Sequence, residues 1–140
     1  MNAYRYENIE IGHEESFAAA LTEEKMRAFL AITGDENPLH TDAAYAKSKR
    51  YAGKVAYGML TASFLSTLAG MYLPGKYALI HSVEIKFVKA VYPSDKTVLT
   101  VKGVVTEKHD LFRQLTVKFG VWNEDGDKVC RGMMKVGVMD

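Results

Sequence analysis

A carboxylate and an imidazole, separated by four residues, form the most reactive pair of side chains in the sequence. Asp35 and His40 both belong to the segment Gly34-Asp35-Glu36-Asn37-Pro38-Leu39-His40. At neutral pH a carboxylate accepts a proton and an imidazole can donate or accept one, so the pair suits the addition or removal of water. A structural interpretation fits the spacing equally well: Asp35 caps the next helix and His40 is an ordinary loop histidine.

Two predicted helices flank this segment. Thr22 is suited to cap the first, and Gly34 is suited to end it. Beyond the loop 35–40, Thr41 or Asp42 can cap a second, short helix that runs through Lys47. Because Pro38 restricts its own backbone and that of the residue before it, the loop between the helices should be stiff. We therefore expect Asp35 and His40 to keep a defined mutual geometry.

The segment 55–75 contains no acid or base apart from tyrosine. It is long enough to span a bilayer, but its four hydroxyl side chains and three glycines make it a poor membrane span. We predict a buried helix that begins at Gly58. Because a helix that is apolar nearly all round must be covered on every side, the rest of the chain should wrap around it.

Strands are predicted on both sides of this helix. A short edge strand is expected at 16–21. After Pro74 apolar and polar residues alternate, which indicates four half-buried strands at about 77–91, 96–107, 111–122 and 128–138, arranged as an antiparallel meander. Together these elements predict an α+β fold in which a curved antiparallel sheet encloses a central helix, with residues 1–140 as one domain.

Two segments carry a family resemblance. The residues 32–42 and Gly58-Met59-Leu60-Thr61-Ala62-Ser63 resemble the hydratase-2 motif of the MaoC-like, (R)-specific enoyl-CoA hydratases, and the order of elements agrees with that family's hotdog domain over essentially the whole chain. The resemblance implies that Asp35 and His40 activate a water molecule. This water adds to a trans-2-enoyl thioester and gives an (R)-3-hydroxyacyl thioester, or leaves in the reverse dehydration.

The resemblance implies further site residues. The backbone of Gly58 would serve the thioester oxygen, because free N–H groups gather at a helix N-terminus. Ser63 would orient the catalytic loop, and Asn37 and Tyr57 are assigned with it to substrate binding. Relatives commonly have histidine where this chain has Tyr57, which puts the shape of the pocket in doubt. The alternative is that the Tyr57 ring only packs against the sheet.

Charge and composition limit the partners. The chain has 18 basic and 17 acidic residues, a formal charge of +1, which argues against a nucleic-acid partner. The phosphates of coenzyme A or an acidic carrier protein can meet Lys49, Arg50 and Lys54, although a solvated surface explains these residues as well. A single cysteine, Cys130, and the absence of a leader segment predict a cytoplasmic protein.

The sequence lacks the spacing of a metal, serine-nucleophile or dinucleotide site, so we expect no metal and no cofactor other than the coenzyme A thioester that is the substrate. The resemblance implies a homodimer, or a higher oligomer, that pairs along sheet edges, with the active sites near the interface. Two alternatives remain at this point. One is a hotdog acyl-CoA thioesterase, and the other is a non-catalytic acyl-thioester binding domain.

Overall fold

In the computed structural model, which describes residues 1–140, five strands form one antiparallel sheet. The strands are β1 (Glu14–Ala20), β2 (Ala78–Phe87), β3 (Val98–His109), β4 (Gln114–Trp122) and β5 (Lys128–Val138). Alternation of apolar and polar residues produces the predicted half-buried strands: in β3, Val101 and Val105 are buried while Thr100 is exposed.

The strand order corrects the predicted meander. The sheet runs β1-β3-β4-β5-β2, so only β3, β4 and β5 follow one another in space. Residues 88–97 are too many for a tight hairpin and carry the chain across the end of the sheet, where Ser94 N–H donates to the Leu21 carbonyl. As a result β2 lies at one edge beside β5, and β1 takes the place beside β3.

The helices that precede the central helix are those predicted from the sequence, with one additional short helix. Helix α1 (Glu23–Thr33) begins where the Thr22 side chain accepts a hydrogen bond from Lys25 N–H, and it ends at Gly34, whose φ is 72°. Helix α2 (Pro38–Thr41) occupies part of the predicted loop, because proline is well suited to the first position of a helix. Asp42 caps α3 (Ala43–Ser48), as expected.

The central helix α4 (Gly58–Thr67) continues into a π-helical turn at Leu68–Tyr72. It packs on one face of the sheet, where a Cβ on Gly103 of β3 would lie 2.8 Å from a methyl carbon of Leu68. Glycine therefore allows the close approach of the two elements. A sheet packed on a central helix in this way is the predicted hotdog fold.

The opposite side of α4 is uncovered, which departs from the expectation of cover on every side. Met59 is 62% exposed, and Ser63 and Ser66 are exposed on the same helical stripe. No helix in the structure is both long enough and apolar enough to cross a membrane.

Candidate active site

The backbone path of the motif loop is fixed by its own side chains. The Asp35 carboxylate accepts a hydrogen bond from Asn37 N–H at 3.0 Å, and Asn37 Oδ1 accepts one from Leu39 N–H at 2.9 Å. Such local turns are the usual role of Asp and Asn side chains outside regular helices. The Asn37 side chain is thus engaged as the cap of α2, and it does not line the cleft described below.

The imidazole of His40 is oriented by the segment that precedes α4. Its Nδ1 lies 2.7 Å from the Val55 carbonyl oxygen. Since a carbonyl can only accept, Nδ1 carries the proton of this bond, and Nε2 of the neutral ring is left as a proton acceptor. The structure therefore presents His40 in the tautomer that a general base requires.

Tyr57 contacts both members of the pair. Its hydroxyl donates a hydrogen bond of 2.6 Å to the Asp35 carbonyl oxygen, and its ring centroid lies 4.3 Å from that of His40. The ring also packs against Phe29, at 4.8 Å between centroids. Burial, followed by the negative charges of Asp35 and Glu36, raises the pKa of Tyr57 above its ordinary value. The hydroxyl accordingly stays protonated as a donor.

The larger of two adjoining clefts, with a volume of about 710 Å³, brings together most of the candidate residues. Asp35, His40, Tyr57, Gly58 and Ser63 all line it. The remaining walls are mainly apolar and are formed by Phe29, Thr33, Met59, Ala62, Val83, Ile85 and Phe87. The cleft thus combines mainly apolar walls with one carboxylate and one imidazole, which suits an apolar ligand that carries a reactive polar group.

A smaller cleft of about 350 Å³ adjoins the larger one. His40, Gly58 and Phe87 line both clefts, so the two meet at these residues. Tyr51 and Cys130 belong to the smaller cleft alone, and burial raises the pKa of the Cys130 thiol to about 11. A protonated thiol is a poor nucleophile, which argues against covalent chemistry at Cys130.

Free donors meet the clefts at the start of α4. The N–H groups of Gly58 and Met59 make no hydrogen bond, and no side chain caps this helix. A Cβ on Gly58 would lie 3.1 Å from the Phe87 ring, so glycine leaves room between them. Phe87 is a site residue that the sequence analysis missed. As the last residue of an alternating strand, it carries no signal of its own.

Other candidates make different contacts. Ser63 Oγ donates to the Leu60 carbonyl one turn earlier, at 2.6 Å, and makes no bond to the motif loop. Lys54 forms an ion pair with Glu23 at 3.0 Å. Lys49 and Arg50 line neither cleft, but they directly precede Tyr51, which lines the smaller one. No cluster of three or more His, Cys, Asp and Glu side chains has an arrangement that holds a metal ion.

The fold is that of a hotdog protein, and its motif loop brings a carboxylate and an imidazole to one apolar cleft. A model of the MaoC-like domain matches residues 8–125, and the chain belongs to this family. The chain is 33% identical over 105 residues to an (R)-specific enoyl-CoA hydratase of Rhodospirillum rubrum, covering 74% of this chain and 73% of the relative. It is 28% identical over 112 residues to the enzyme of the same name from Aeromonas caviae, covering 80% and 84%.

Solved structures agree with these sequence relatives. The unliganded R-hydratase PhaJ1 from Pseudomonas aeruginosa superimposes with a TM-score of 0.88 at 26% identity, covering 97% of this chain and 86% of that one. An (R)-hydratase from Aeromonas caviae, described as involved in PHA biosynthesis, gives a TM-score of 0.86 at 26% identity, covering 93% and 97%. The similarity therefore extends across nearly all of the fold.

Proposed function

We propose that this protein is an (R)-specific enoyl-CoA hydratase, which also catalyses the reverse dehydration of (R)-3-hydroxyacyl thioesters. The observation that carries the proposal is the meeting of Asp35, His40 and the unpaired N–H of Gly58 at one apolar cleft. The hydratases among its relatives support the same reaction. The proposal treats residues 1–140 as one functional domain.

The reaction needs a base, an acid and a group that stabilises negative charge. A water molecule held by Asp35 and His40 loses a proton to one of them as its oxygen bonds to C3 of the enoyl group. The electron pair of the double bond moves toward the thioester oxygen, where Gly58 N–H donates to the developing enolate. A proton then reaches C2 from the acid/base pair, and the thioester bond remains intact.

The expected contributions are comparable. Proton transfer by a positioned side chain typically accelerates a reaction by about 10²–10⁴-fold. One donor to an oxyanion typically contributes about 10²–10³-fold. Neither contribution alone equals the rate acceleration that enzymes typically give over the uncatalysed reaction. The proposed reaction therefore requires both the motif loop and the start of α4. Acid/base chemistry of this kind requires no metal or prosthetic group beyond the coenzyme A thioester itself.

The position of the substrate follows from the two clefts. We propose that the acyl chain occupies the larger, apolar cleft and that the pantetheine arm leaves through the smaller one, past Tyr51. In this arrangement Lys49 and Arg50 would lie near the phosphates of coenzyme A, or near an acidic carrier protein. Lys54 is less suited to this role because Glu23 already neutralises it. The buried single cysteine, which forms no disulfide, is compatible with the proposed cytoplasmic location.

Incubation of the purified protein with crotonyl-CoA tests the proposed reaction. Hydration removes the enoyl absorbance, leaves the thioester intact and gives the (R)-3-hydroxy product on chiral analysis. Release of free thiol with crotonate would instead identify a thioesterase. Binding of crotonyl-CoA without either reaction would identify an acyl-thioester binding domain, and both of these results would overturn the proposal.

A homodimer is part of the proposed function. Strand β2 pairs only with β5, so its outer edge is open, and Leu79 on it is 49% exposed. Beside this strand, the exposed stripe of α4 includes Met59, which lines the larger cleft. Pairing of two β2 edges would protect an edge that otherwise invites aggregation, and it would bring a second subunit to the cleft.

Introducing a charge at the β2 edge should dissociate this dimer. We expect the unmodified chain to sediment at twice its 15.6 kDa mass, and Leu79→Lys to shift the population toward monomer, because lysine at a sheet edge opposes pairing. The matched control is Leu111→Lys in the β3–β4 turn, where the side chain is 86% exposed. Loss of the dimer in both variants, or in neither, would contradict pairing through β2.

Adding a methyl group at the start of α4 should impair the reaction. In Gly58→Ala the new Cβ would lie 3.1 Å from the Phe87 ring, so the ring must shift in the passage between the clefts. We expect kcat/KM to fall by about tenfold, because an error of about 1 Å in the bound geometry costs up to about 100-fold. The matched control is Gly70→Ala, which would meet no atom within 4 Å and should keep full activity. Equal rates for the two variants would show that the space between position 58 and the Phe87 ring is not needed for the reaction.

A further inference from the structure

Tyr57 joins the two halves of the candidate acid/base pair. It is 2% exposed, it donates a hydrogen bond to the backbone of Asp35, and its ring packs on the ring of His40. It is also the residue that precedes Gly58, at the start of α4. One side chain therefore links the carboxylate loop, the imidazole and the helix start.

We propose that Tyr57 is a positioning residue, whose hydroxyl fixes the Asp35 backbone and whose ring holds the His40 imidazole in its reactive orientation. This inference rests on the proposed hydratase function and deepens it. It differs from the substrate-binding role expected from the sequence, since the hydroxyl proton is engaged by the protein itself.

This bond is the only hydrogen bond that ties Asp35 to a distant segment of the chain. Asp35 is exposed, and its N–H is held only by the Thr33 hydroxyl, at 3.2 Å. The carbonyl of the same residue accepts its hydrogen bond from Tyr57 alone. Without that bond only the local contacts with Thr33 and Asn37 hold Asp35, so its peptide gains freedom to rotate and its carboxylate is held less firmly in the larger cleft.

The second contact restricts His40. A single hydrogen bond from Nδ1 to the Val55 carbonyl holds the imidazole. One hydrogen bond does not fix the plane of the ring, which can still turn about the line between the two atoms. The Tyr57 ring limits that rotation, with its plane inclined by 33° to the imidazole at a centroid separation of 4.3 Å. Phe29 also packs against the tyrosine ring, at 4.8 Å between centroids. Aromatic rings at these distances prefer defined mutual orientations. The contact between Tyr57 and His40 therefore favours one direction for His40 Nε2.

Removing only the hydroxyl tests the proposal. Tyr57→Phe keeps the ring against His40 and Phe29 but frees the Asp35 carbonyl. We expect kcat to fall by about tenfold with KM changed by less than about twofold, because a positioning loss acts on the reacting atoms more than on the rest of the substrate. A KM increase that accounts for the loss, with kcat unchanged, would overturn the proposal and indicate a role in substrate binding.

A second buried tyrosine provides the control for folding. Tyr6 is 5% exposed, and its hydroxyl donates to the Asp110 carboxylate at 2.7 Å, away from both clefts. Tyr6→Phe therefore removes a comparable buried hydrogen bond and should keep the unmodified kcat. If both variants lose kcat equally at matched melting temperatures, the effect is general destabilisation and the proposal fails.

The pair Tyr57→Phe and Asp35→Asn shows whether the tyrosine acts through the carboxylate. We expect the double variant to be about as slow as Asp35→Asn alone, because there is no catalytic carboxylate left to position. A further tenfold loss in the double variant would contradict the inference. If the unmodified protein hydrates no enoyl thioester, the proposed function itself fails. If it does and Tyr57→Phe is fully active, only the positioning role fails.

Discussion

Asp35→Asn should lower the turnover of trans-2-enoyl-CoA by about 10³-fold, within the range that a positioned acid/base group contributes. An amide cannot take a proton from water. It still offers a side-chain oxygen to Asn37 N–H, which the carboxylate binds at 3.0 Å, so the turn that shapes the loop should survive. We expect kcat to fall while the melting temperature stays nearly unchanged, as measured by steady-state kinetics and calorimetry.

The neighbouring carboxylate provides the control for charge. Glu36 is exposed and lines neither of the two clefts, although it belongs to the same loop. Glu36→Gln removes the same charge one residue away and should keep nearly full activity. A comparable loss of turnover in both variants would show that the total negative charge of the loop matters, and not the Asp35 carboxylate in particular. Full activity of Asp35→Asn would remove Asp35 from the mechanism.

His40→Ala should also lower turnover, by about 10²–10⁴-fold, because it removes the nitrogen that exchanges a proton with water. The substitution leaves the Val55 carbonyl without its donor at 2.7 Å. Since Val55 and His40 both line the smaller, open cleft, we expect water to replace the imidazole at this carbonyl, and the free energy of unfolding should fall by no more than about 1 kcal/mol. Turnover and chemical denaturation measure the two effects separately.

A histidine outside the clefts serves for comparison. His109 lies at the end of β3, with Nε2 at 3.2 Å from the Glu107 carboxylate, and it lines neither cleft. His109→Ala should leave turnover unchanged. If His40→Ala loses its activity only in proportion to a loss of folded protein, the structural interpretation of the motif is correct and the catalytic one is wrong.

Local features of the fold were predictable because they depend on neighbouring residues. The cap at Thr22 and the stop at Gly34 define α1 as predicted, and alternation of apolar residues located β5 at 128–138 without error. The turn α2 was missed, although the sequence Asn37-Pro38 carries a signal for it. An asparagine that caps and a proline in the first helical position together favour a helix start.

The arrangement of those elements was less predictable. Alternation determines which face of a sheet a residue occupies, but not which strand lies beside it, so the position of β2 next to β5 had no local signal. The uncovered stripe of α4 had only a weak signal, namely Ser63 and Ser66 on one face of a helix that is otherwise apolar nearly all round.

The candidate site shows the same division. The motif located Asp35 and His40 in sequence, and the structure brings both to one cleft. The contact of Phe87 with Gly58 and the bond from Tyr57 to the Asp35 carbonyl join segments separated by more than 20 residues. Such contacts arise from tertiary packing, which a single sequence does not reveal. The sequence showed that Tyr57 replaces the histidine common in relatives, but it did not show that its hydroxyl bonds to the Asp35 carbonyl.

A crystal structure of the Asp35→Asn variant with a bound trans-2-enoyl-CoA tests the central claim most directly. The account predicts that C3 of the enoyl group faces a water molecule bound to His40 Nε2, with the side chain at position 35 on the same water and the thioester oxygen accepting from Gly58 N–H. A water aligned with the thioester carbonyl carbon instead of C3, or an acyl chain outside the larger cleft, would contradict it.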